Sequence, residues 1–507
     1  MNPDRAAVGS ALLLAASAPP SPLALLVFVA LVPLVRAVEG LPAGADGRRR
    51  AFRAGVIYGA VYWGVLLLWI PQVALRVGVW AVFGYLAIVS TLSLLSGLSL
   101  LVLHRLRGAG VALPMAVAVA WVGVEWLRTA WLGPLSFPWM GLALPLSGLP
   151  PLIQGAAWVG EIGVAFGVAA VNGFVAASLR VPGARPVRAG VLILLGLVIV
   201  FVGGRARISG TDTEPVLRAL LIQPGVSLAD KRADPPFALR VSIEAVERLL
   251  SASEATEYGP VDVVILPETA VPAFLDGGDV SSVRESVASW ARRWGAPLLV
   301  GAYAAGVGRG GNAVFLASDD PEANWPSAWK TRLVPGVEWV PWGGDAIQSG
   351  ARAALLDLPG SVPVAPLICI ESAGPQPARD LVARGARVLV NVTNDAWLGE
   401  RPWWTRSAAF AQHPAHLSFR AVEGGVGALR VGNNGRTESV DPFGRRSLVI
   451  PPFEPGLGRA EIVSLRRPTP FIWWGPWIGT LCAVLALASA VVPPRRPLPM
   501  VDPPLTL

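Results

Sequence analysis

Val362-Pro363-Val364-Ala365-Pro366-Leu367-Ile368-Cys369-Ile370-Glu371 is an apolar, β-rich run that closes on a thiol and a carboxylate. A Pro/Gly-containing turn follows at once, so the run reads as a buried strand that delivers Cys369 to its end. Two other apolar runs finish the same way, Leu266-Pro267-Glu268 on a carboxylate and Trp329-Lys330 on an ammonium. Further strand-like runs at 216–222, 297–302, 313–317 and 387–392 are interleaved with helical patterns at 238–253 and 283–294. The pattern predicts an α/β layered domain over 208–468, long enough to bury its own core. Strand ends in α/β domains converge on one crevice. A carboxylate, an ammonium and a thiol gathered there can generate a thiolate and stabilise the oxyanion formed when it attacks a carbonyl.

On either side of this domain the composition changes. Of 507 residues, 53% are hydrophobic and only 15% charged, with a mean hydropathy of +0.54. Apolar runs of spanning character are read at 5–18, 22–37, 54–75, 79–103, 109–128, 155–179, 188–204 and 471–492. They divide the chain into a seven-helix membrane domain over 1–207, the α/β domain over 208–468, and a final helix with its tail over 469–507. The formal charge of +8 is carried by arginine clusters at the ends of these runs: Arg48 to Arg50 with Arg53, Arg105 with Arg107, Arg180 with Arg185 and Arg188, and Arg495 with Arg496. Such flanking clusters orient membrane spans, and the positive-inside rule puts both termini in the cytoplasm and 208–468 outside, in a bacterial periplasm or its equivalent. No basic groove interleaved with aromatic residues accompanies them, so nucleic acid is not an expected partner. The two cysteines, Cys369 and Cys482, lie in segments of different character and predict no disulfide. Cys482, inside the last apolar run, reads as a small core residue. Of 42 basic residues only Lys231 and Lys330 are lysines. Where charge alone suffices this chain uses arginine, which singles out Lys330. Lys231, in a polar loop, is expected to tolerate replacement by arginine.

Glu268, Lys330 and Cys369 in these settings resemble the Glu-Lys-Cys signature of the nitrilase, or carbon-nitrogen hydrolase, superfamily. The flanking spans narrow the resemblance to its membrane-embedded members, the apolipoprotein N-acyltransferase family. Further similarities are Leu333-Val334-Pro335 with Glu338, Asn391 to Trp397 after the cysteine strand, Asn433-Asn434-Gly435, Glu125 to Arg128, and Phe137-Pro138-Trp139. The resemblance implies a multi-span α-helical membrane domain joined to an extracytoplasmic nitrilase-like αββα sandwich. It also implies a ping-pong acyl transfer in the bacterial inner membrane, from a phospholipid acyl donor through a thioester on Cys369 to a diacylglyceryl apolipoprotein acceptor, with no metal or dissociable cofactor. Glu268 would be the base, Lys330 and the N–H of Ile370 the oxyanion donors, and Glu338 a second carboxylate beside the lysine. Glu371 would either support the site or orient the loop after the cysteine. The chain departs from the family at Ile370, at Gly336-Val337 and at Leu266, positions that shape the acyl pocket.

Tryptophan is concentrated near these segments, at Trp325, Trp329, Trp339, Trp342, Trp397, Trp403 and Trp404. One reading is a set of loops dipping into the outer leaflet, with Trp139, Trp339, Trp403 and Trp404 lining lipid access. The other is a Trp-rich core. His413 and His416 stand at helical spacing, but no third ligand is suitably spaced for a metal, and solvated or substrate-facing positions are expected. Two rival functions are a membrane-tethered nitrilase-type amidase and a transporter or scaffold bearing an inactive domain. Against the latter, the spans hold few ionisable residues suited to a translocation path, mainly Glu125 and Glu161.

Overall fold

The computed structural model describes the chain except residues 1, 73–77, 79, 134–135, 180–184, 254, 278–279, 307–309, 335–337, 339–346, 361, 400–406 and 492–507. The membrane part contains α1 (Pro3–Ser17), α2 (Val32–Glu39), α3 (Ala45–Leu66), α4 (Trp80–Gly108), α5 (Leu113–Trp126), α6 (Ala156–Ser178) and α7 (Arg185–Gly210). Among the described residues, four helices are long and apolar enough to cross a membrane: Ala45–Gln72, Ala81–Gly108, Ala156–Ser178 and Gly190–Gly210.

Several expected spans are not continuous helices; α6, for one, kinks at Gly160, which has φ at 69°. The run 22–37 folds as a 3-10 turn, Ala24–Phe28, followed by the eight-residue α2. The run 471–492 breaks into Pro470–Trp474 and Trp477–Ala488, because Gly475 takes a φ of 64° and Pro476 has no N–H to continue the ladder. Hydropathy registers the apolar stretch but is blind to these breaks.

Helices α3 and α4 pack antiparallel at close range. A Cβ on Gly55 would meet Ser96 O at 2.5 Å, and one on Gly59 would meet Ser93 Cα at 2.5 Å, the small-residue contact that lets membrane helices approach. Gly47 faces His104 at one end of this pair, which gathers Arg48, Arg49, Arg50, Arg105 and Arg107 there. The Asp4–Arg53 ion pair and a 3.1 Å bond from Arg105 to Ser489 O bring α1 and the C-terminal helix to the same end. The α/β domain joins the opposite end, where Arg332 donates to Ser136 O at 2.8 Å and Gln154 to Phe443 O at 2.8 Å.

That domain is an αββα sandwich. Its strands are β1 (Glu214–Gln223), β2 (Val263–Ile265), β3 (Val271–Phe274), β4 (Leu298–Ala304), β5 (Gly311–Ala317), β6 (Ser327–Trp329), β7 (Leu356–Leu358), β8 (Val362–Ile368), β9 (Val388–Thr393), β10 (Gly427–Gly432), β11 (Thr437–Val440), β12 (Arg446–Ile450) and β13 (Gly456–Ser464). One sheet runs β13-β1-β2-β4-β5-β6 with β3 beside β4, and the other β12-β11-β10-β9-β8-β7. Leu221, Ile265 and Val314 of the first sheet interlock with Ile368, Val390 and Leu429 of the second. Helices α8 (Pro235–Ser251) and α9 (Ser281–Trp294) cover the first sheet through Val246, Leu250, Val287 and Trp290. Helices α10 (Pro375–Ala383) and α11 (Ala409–Gly424) cover the second through Leu381, Leu417 and Ala421. The apolar alternation read in the sequence thus becomes three stacked apolar layers, with the ends of β2, β6, β8 and β9 opening on one crevice.

Candidate active site

Cys369 follows β8 with φ at +53°, a left-handed backbone that costs a β-carbon residue energy and is kept only where the surroundings enforce it. The enforcing contacts are present. Its carbonyl accepts from Asn391 Nδ2 at 3.1 Å and lies 3.1 Å from His413 Nε2. Glu371 Oε2 accepts from Ile368 N–H at 2.7 Å, while its Oε1 accepts from Thr331 N–H at 2.7 Å, Thr331 Oγ1 at 2.6 Å and Arg332 N–H at 3.1 Å. One buried carboxylate therefore fixes the cysteine turn to the segment after Lys330. Ile370 is buried beside it.

Lys330 is 1% exposed and donates to Glu268 Oε1 at 3.0 Å and to Glu338 Oε1 at 2.7 Å. Glu268 also accepts from Asn312 Nδ2 at 2.6 Å on Oε1 and from Asn394 N–H at 2.9 Å on Oε2. Burial alone would push the Lys330 ammonium toward neutrality; the two carboxylates outweigh it and hold its pKa well above the ordinary lysine value. Burial, reinforced by Glu268 and opposed by Lys330, pushes the Cys369 thiol up. Burial thus favours the protonated thiol, while the Lys330 ammonium favours the thiolate. Such a set can remove a proton during attack and stabilise an oxyanion.

Behind the cysteine lies a second polar cluster. Arg430, fully buried in β10, donates to Asp395 at 2.8 and 2.9 Å and to Asn391, and approaches His413 Nδ1 at 3.1 Å. Burial disfavours the Asp395 charge, but Arg430 and His413 more than offset it and hold the carboxyl well below the usual range. His413 and His416 are 3% and 0% exposed, which corrects the solvated placement: α11 turns both inward between the second sheet and the membrane part. Among the described residues no group of three His, Cys, Asp or Glu side chains could hold a metal.

Trp139 is buried, donates to Gln412 Oε1 at 3.0 Å and packs its ring 5.6 Å from those of both histidines. It couples the membrane helices to α11 rather than facing open lipid. Arg420 of α11 extends this junction, with Glu161 at 2.6 Å and Glu423 at 3.2 Å. Trp325 follows the core reading: it is 5% exposed, with Arg284 3.9 Å above its ring. Trp339, Trp342, Trp403 and Trp404 lie outside the described residues. Exposed tryptophans do occur where the two parts meet, at Trp131, Trp158, Trp473, Trp474 and Trp477.

Sequence reading missed Asn312 and Arg430, and it gave His413 and Lys231 no contact with the site. Arg430 left a trace, since a cation inside the apolar strand Gly427–Gly432 requires a buried counter-charge. Lys231 is not in a free polar loop: it ends the short helix Leu228–Lys231, and its ammonium contacts the backbone just after Glu268.

Comparison with known proteins finds two family models along the chain. The family model described as the apolipoprotein N-acyltransferase N-terminal domain matches residues 10–174, and the carbon-nitrogen hydrolase model matches 242–470. The chain is 31% identical to the apolipoprotein N-acyltransferase of Geobacter metallireducens, over 97% of this chain and 95% of that one. It is 30% identical to that of Gloeobacter violaceus, over 96% and 93% of the two chains. Among solved structures, a CN-hydrolase superfamily protein from Xanthomonas campestris aligns with 49% of this chain and 91% of its own, at 18% identity and a TM-score of 0.36.

Proposed function

The chain belongs to the apolipoprotein N-acyltransferase family, and on that premise we propose that it acylates the N-terminal amine of lipoproteins with a fatty acyl group from a membrane phospholipid, by way of a thioester on Cys369. The observation that carries this reading is the gathering of Lys330, Glu268 and Glu338 beside the Cys369 turn, at the end of the αββα domain that meets the membrane helices.

In the first half-reaction the Glu268 carboxylate takes the Sγ proton as sulfur attacks the phospholipid ester carbonyl. The Lys330 ammonium and the Ile370 N–H stabilise the oxyanion. Collapse breaks the ester C–O bond, the departing alkoxide recovers the proton from Glu268, and a lysophospholipid leaves the acyl group on sulfur. In the second, the α-amine of an S-diacylglyceryl cysteine attacks the thioester. Glu268 accepts the amine proton, an amide forms, and the proton returns to the departing thiolate. Lys330 keeps its charge throughout, as its two carboxylates favour. The raised pKa of Cys369 fits a proton removed during attack and not beforehand.

The membrane is the bacterial inner membrane, with the αββα domain on its outer side. Support comes from the arginine-bearing ends of α3 and α4, which lie at the bundle end away from that domain.

Incubating the purified protein with phospholipid and a synthetic S-diacylglyceryl-cysteinyl peptide tests the proposal. The expected result is a peptide carrying one added acyl group on its α-amine and an equimolar lysophospholipid. Free fatty acid with unmodified peptide would support the hydrolytic rival instead.

A further inference from the structure

We propose that Lys231, the other of the two lysines in this chain, is a positioning residue that fixes the main chain behind Glu268. This rests on the reading of Glu268 as the base of the acyl transfer. Its Nζ lies 3.0 Å from Thr269 O, 3.4 Å from Thr269 Oγ1 and 3.4 Å from Glu268 O. Three acceptors around one point match the three donors of an ammonium, and a planar guanidinium cannot reproduce that arrangement.

The turn it grips requires holding. Thr269 has φ at +48°, a conformation unfavourable for a β-branched residue. The turn also presses on β4, where a Cβ on Gly301 would meet Pro267 O at 2.2 Å and Glu268 Cα at 2.8 Å. Glu268 can therefore aim its carboxylate at Lys330 only while this strained corner persists.

The segment bearing Lys231 is itself anchored to the other side of Glu268. Ser227 caps the short helix Leu228–Lys231, its Oγ accepting from Asp230 N–H at 3.0 Å. The preceding loop is clasped by Asn433, whose Nδ2 donates to Val226 O at 2.7 Å and to Asn394 Oδ1 at 3.2 Å. Asn394 N–H in turn donates to Glu268 Oε2 at 2.9 Å. A closed ring of contacts thus runs from Lys231 through Asn433 and Asn394 back to Glu268, holding both its backbone and its carboxylate.

The test uses the full chain in phospholipid nanodiscs, reading acyl-enzyme formation by intact mass in Lys231→Met, which keeps the stem and removes the donors. The expected result is at least about a 10-fold fall in the acylation rate, with half-saturation by phospholipid within about two-fold of the parent. Thr269→Gly, which accepts positive φ freely, is expected to restore part of the rate when combined with Lys231→Met, a rescue that a merely structural role would not give. A parental rate in Lys231→Met, or a loss confined to half-saturation, overturns the proposal. Should that variant fail to fold, the rate is read in Lys231→Arg, where a parental value overturns it equally. Glu268→Gln is measured alongside: if it acylates normally, the base reading itself fails, whereas an inactive Glu268→Gln beside a normal Lys231→Met defeats the present inference alone.

Discussion

The ammonium of Lys330 lies 2.7 Å from the carboxylate of Glu338, closer than the 3.0 Å that separates it from Glu268. The lysine is therefore gripped from two sides, and its charge is set by both carboxylates. This arrangement accounts for a lysine in a chain that otherwise uses arginine almost throughout.

A guanidinium at position 330 would need room for a planar fork between two carboxylates already within bonding distance of one nitrogen. Lys330→Arg is expected to insert and fold but to lose about 3 kcal/mol of transition-state stabilisation, the scale of an oxyanion donor. Comparing acyl-enzyme formation rates in variant and parent checks this. A rate within a few-fold of the parent would withdraw the oxyanion role.

Glu371 satisfies four donors from two segments. Glu371→Ala strands buried N–H groups, each costing about 1–3 kcal/mol when left unpaired, and frees the Cys369 turn from Thr331. Lower thermal stability is expected together with slowed acylation, and Glu371→Gln should recover part of both. Normal acylation in a stable Glu371→Ala protein would contradict the orienting role.

Much of this site was legible because its residues end apolar runs. Glu268, Lys330 and Cys369 each follow a strand that the sequence displays openly, and the α/β interleaving indicates a common crevice. What was hidden depends on register and loop closure. Arg430 meets Asn391 because β9 and β10 pair at those residues, and no local pattern encodes that pairing. Lys231 lies beside the Glu268 main chain at the end of a loop that Asn433, far along the chain, clasps. His413 and His416 carried a helical spacing without the direction in which the helix faces. Likewise, the breaks at 29–31, Gly160 and Gly475 leave hydropathy unchanged, so these spans looked more regular than they are.

Cys369 is pushed up by burial and by the nearby carboxylates Glu268, Glu338 and Asp395, with only Lys330 pulling the other way. A raised thiol pKa means less thiolate at a given pH than a free cysteine, whose pKa is about 8.5. In a Cys482→Ser background, alkylation of Cys369 by iodoacetamide should be slower than that of a free thiol at pH 8. It should also keep rising above about pH 9, where a free thiol levels off. A plateau reached by pH 7 would instead show a preformed thiolate.

Asp395 and Arg430 form a buried ion pair at 2.8 Å. Asp395→Asn leaves an uncompensated buried guanidinium, and a loss of about 3–5 kcal/mol of stability is expected. Denaturant unfolding of the intact protein checks it, and a change below about 1 kcal/mol would show that the cluster relaxes around Arg430 without its partner.

The thioester on Cys369 is the centre of the account. The most direct measurement is intact-mass analysis of the protein after incubation with a phospholipid carrying an isotopically labelled acyl chain, before and after adding a diacylglyceryl-cysteinyl peptide. The account predicts one labelled acyl adduct, mapped to Cys369 and absent in Cys369→Ser, which disappears as the label reaches the α-amine of the peptide. Acylated peptide formed at full rate by Cys369→Ser, or an adduct on Cys369 that the peptide cannot discharge, would contradict it.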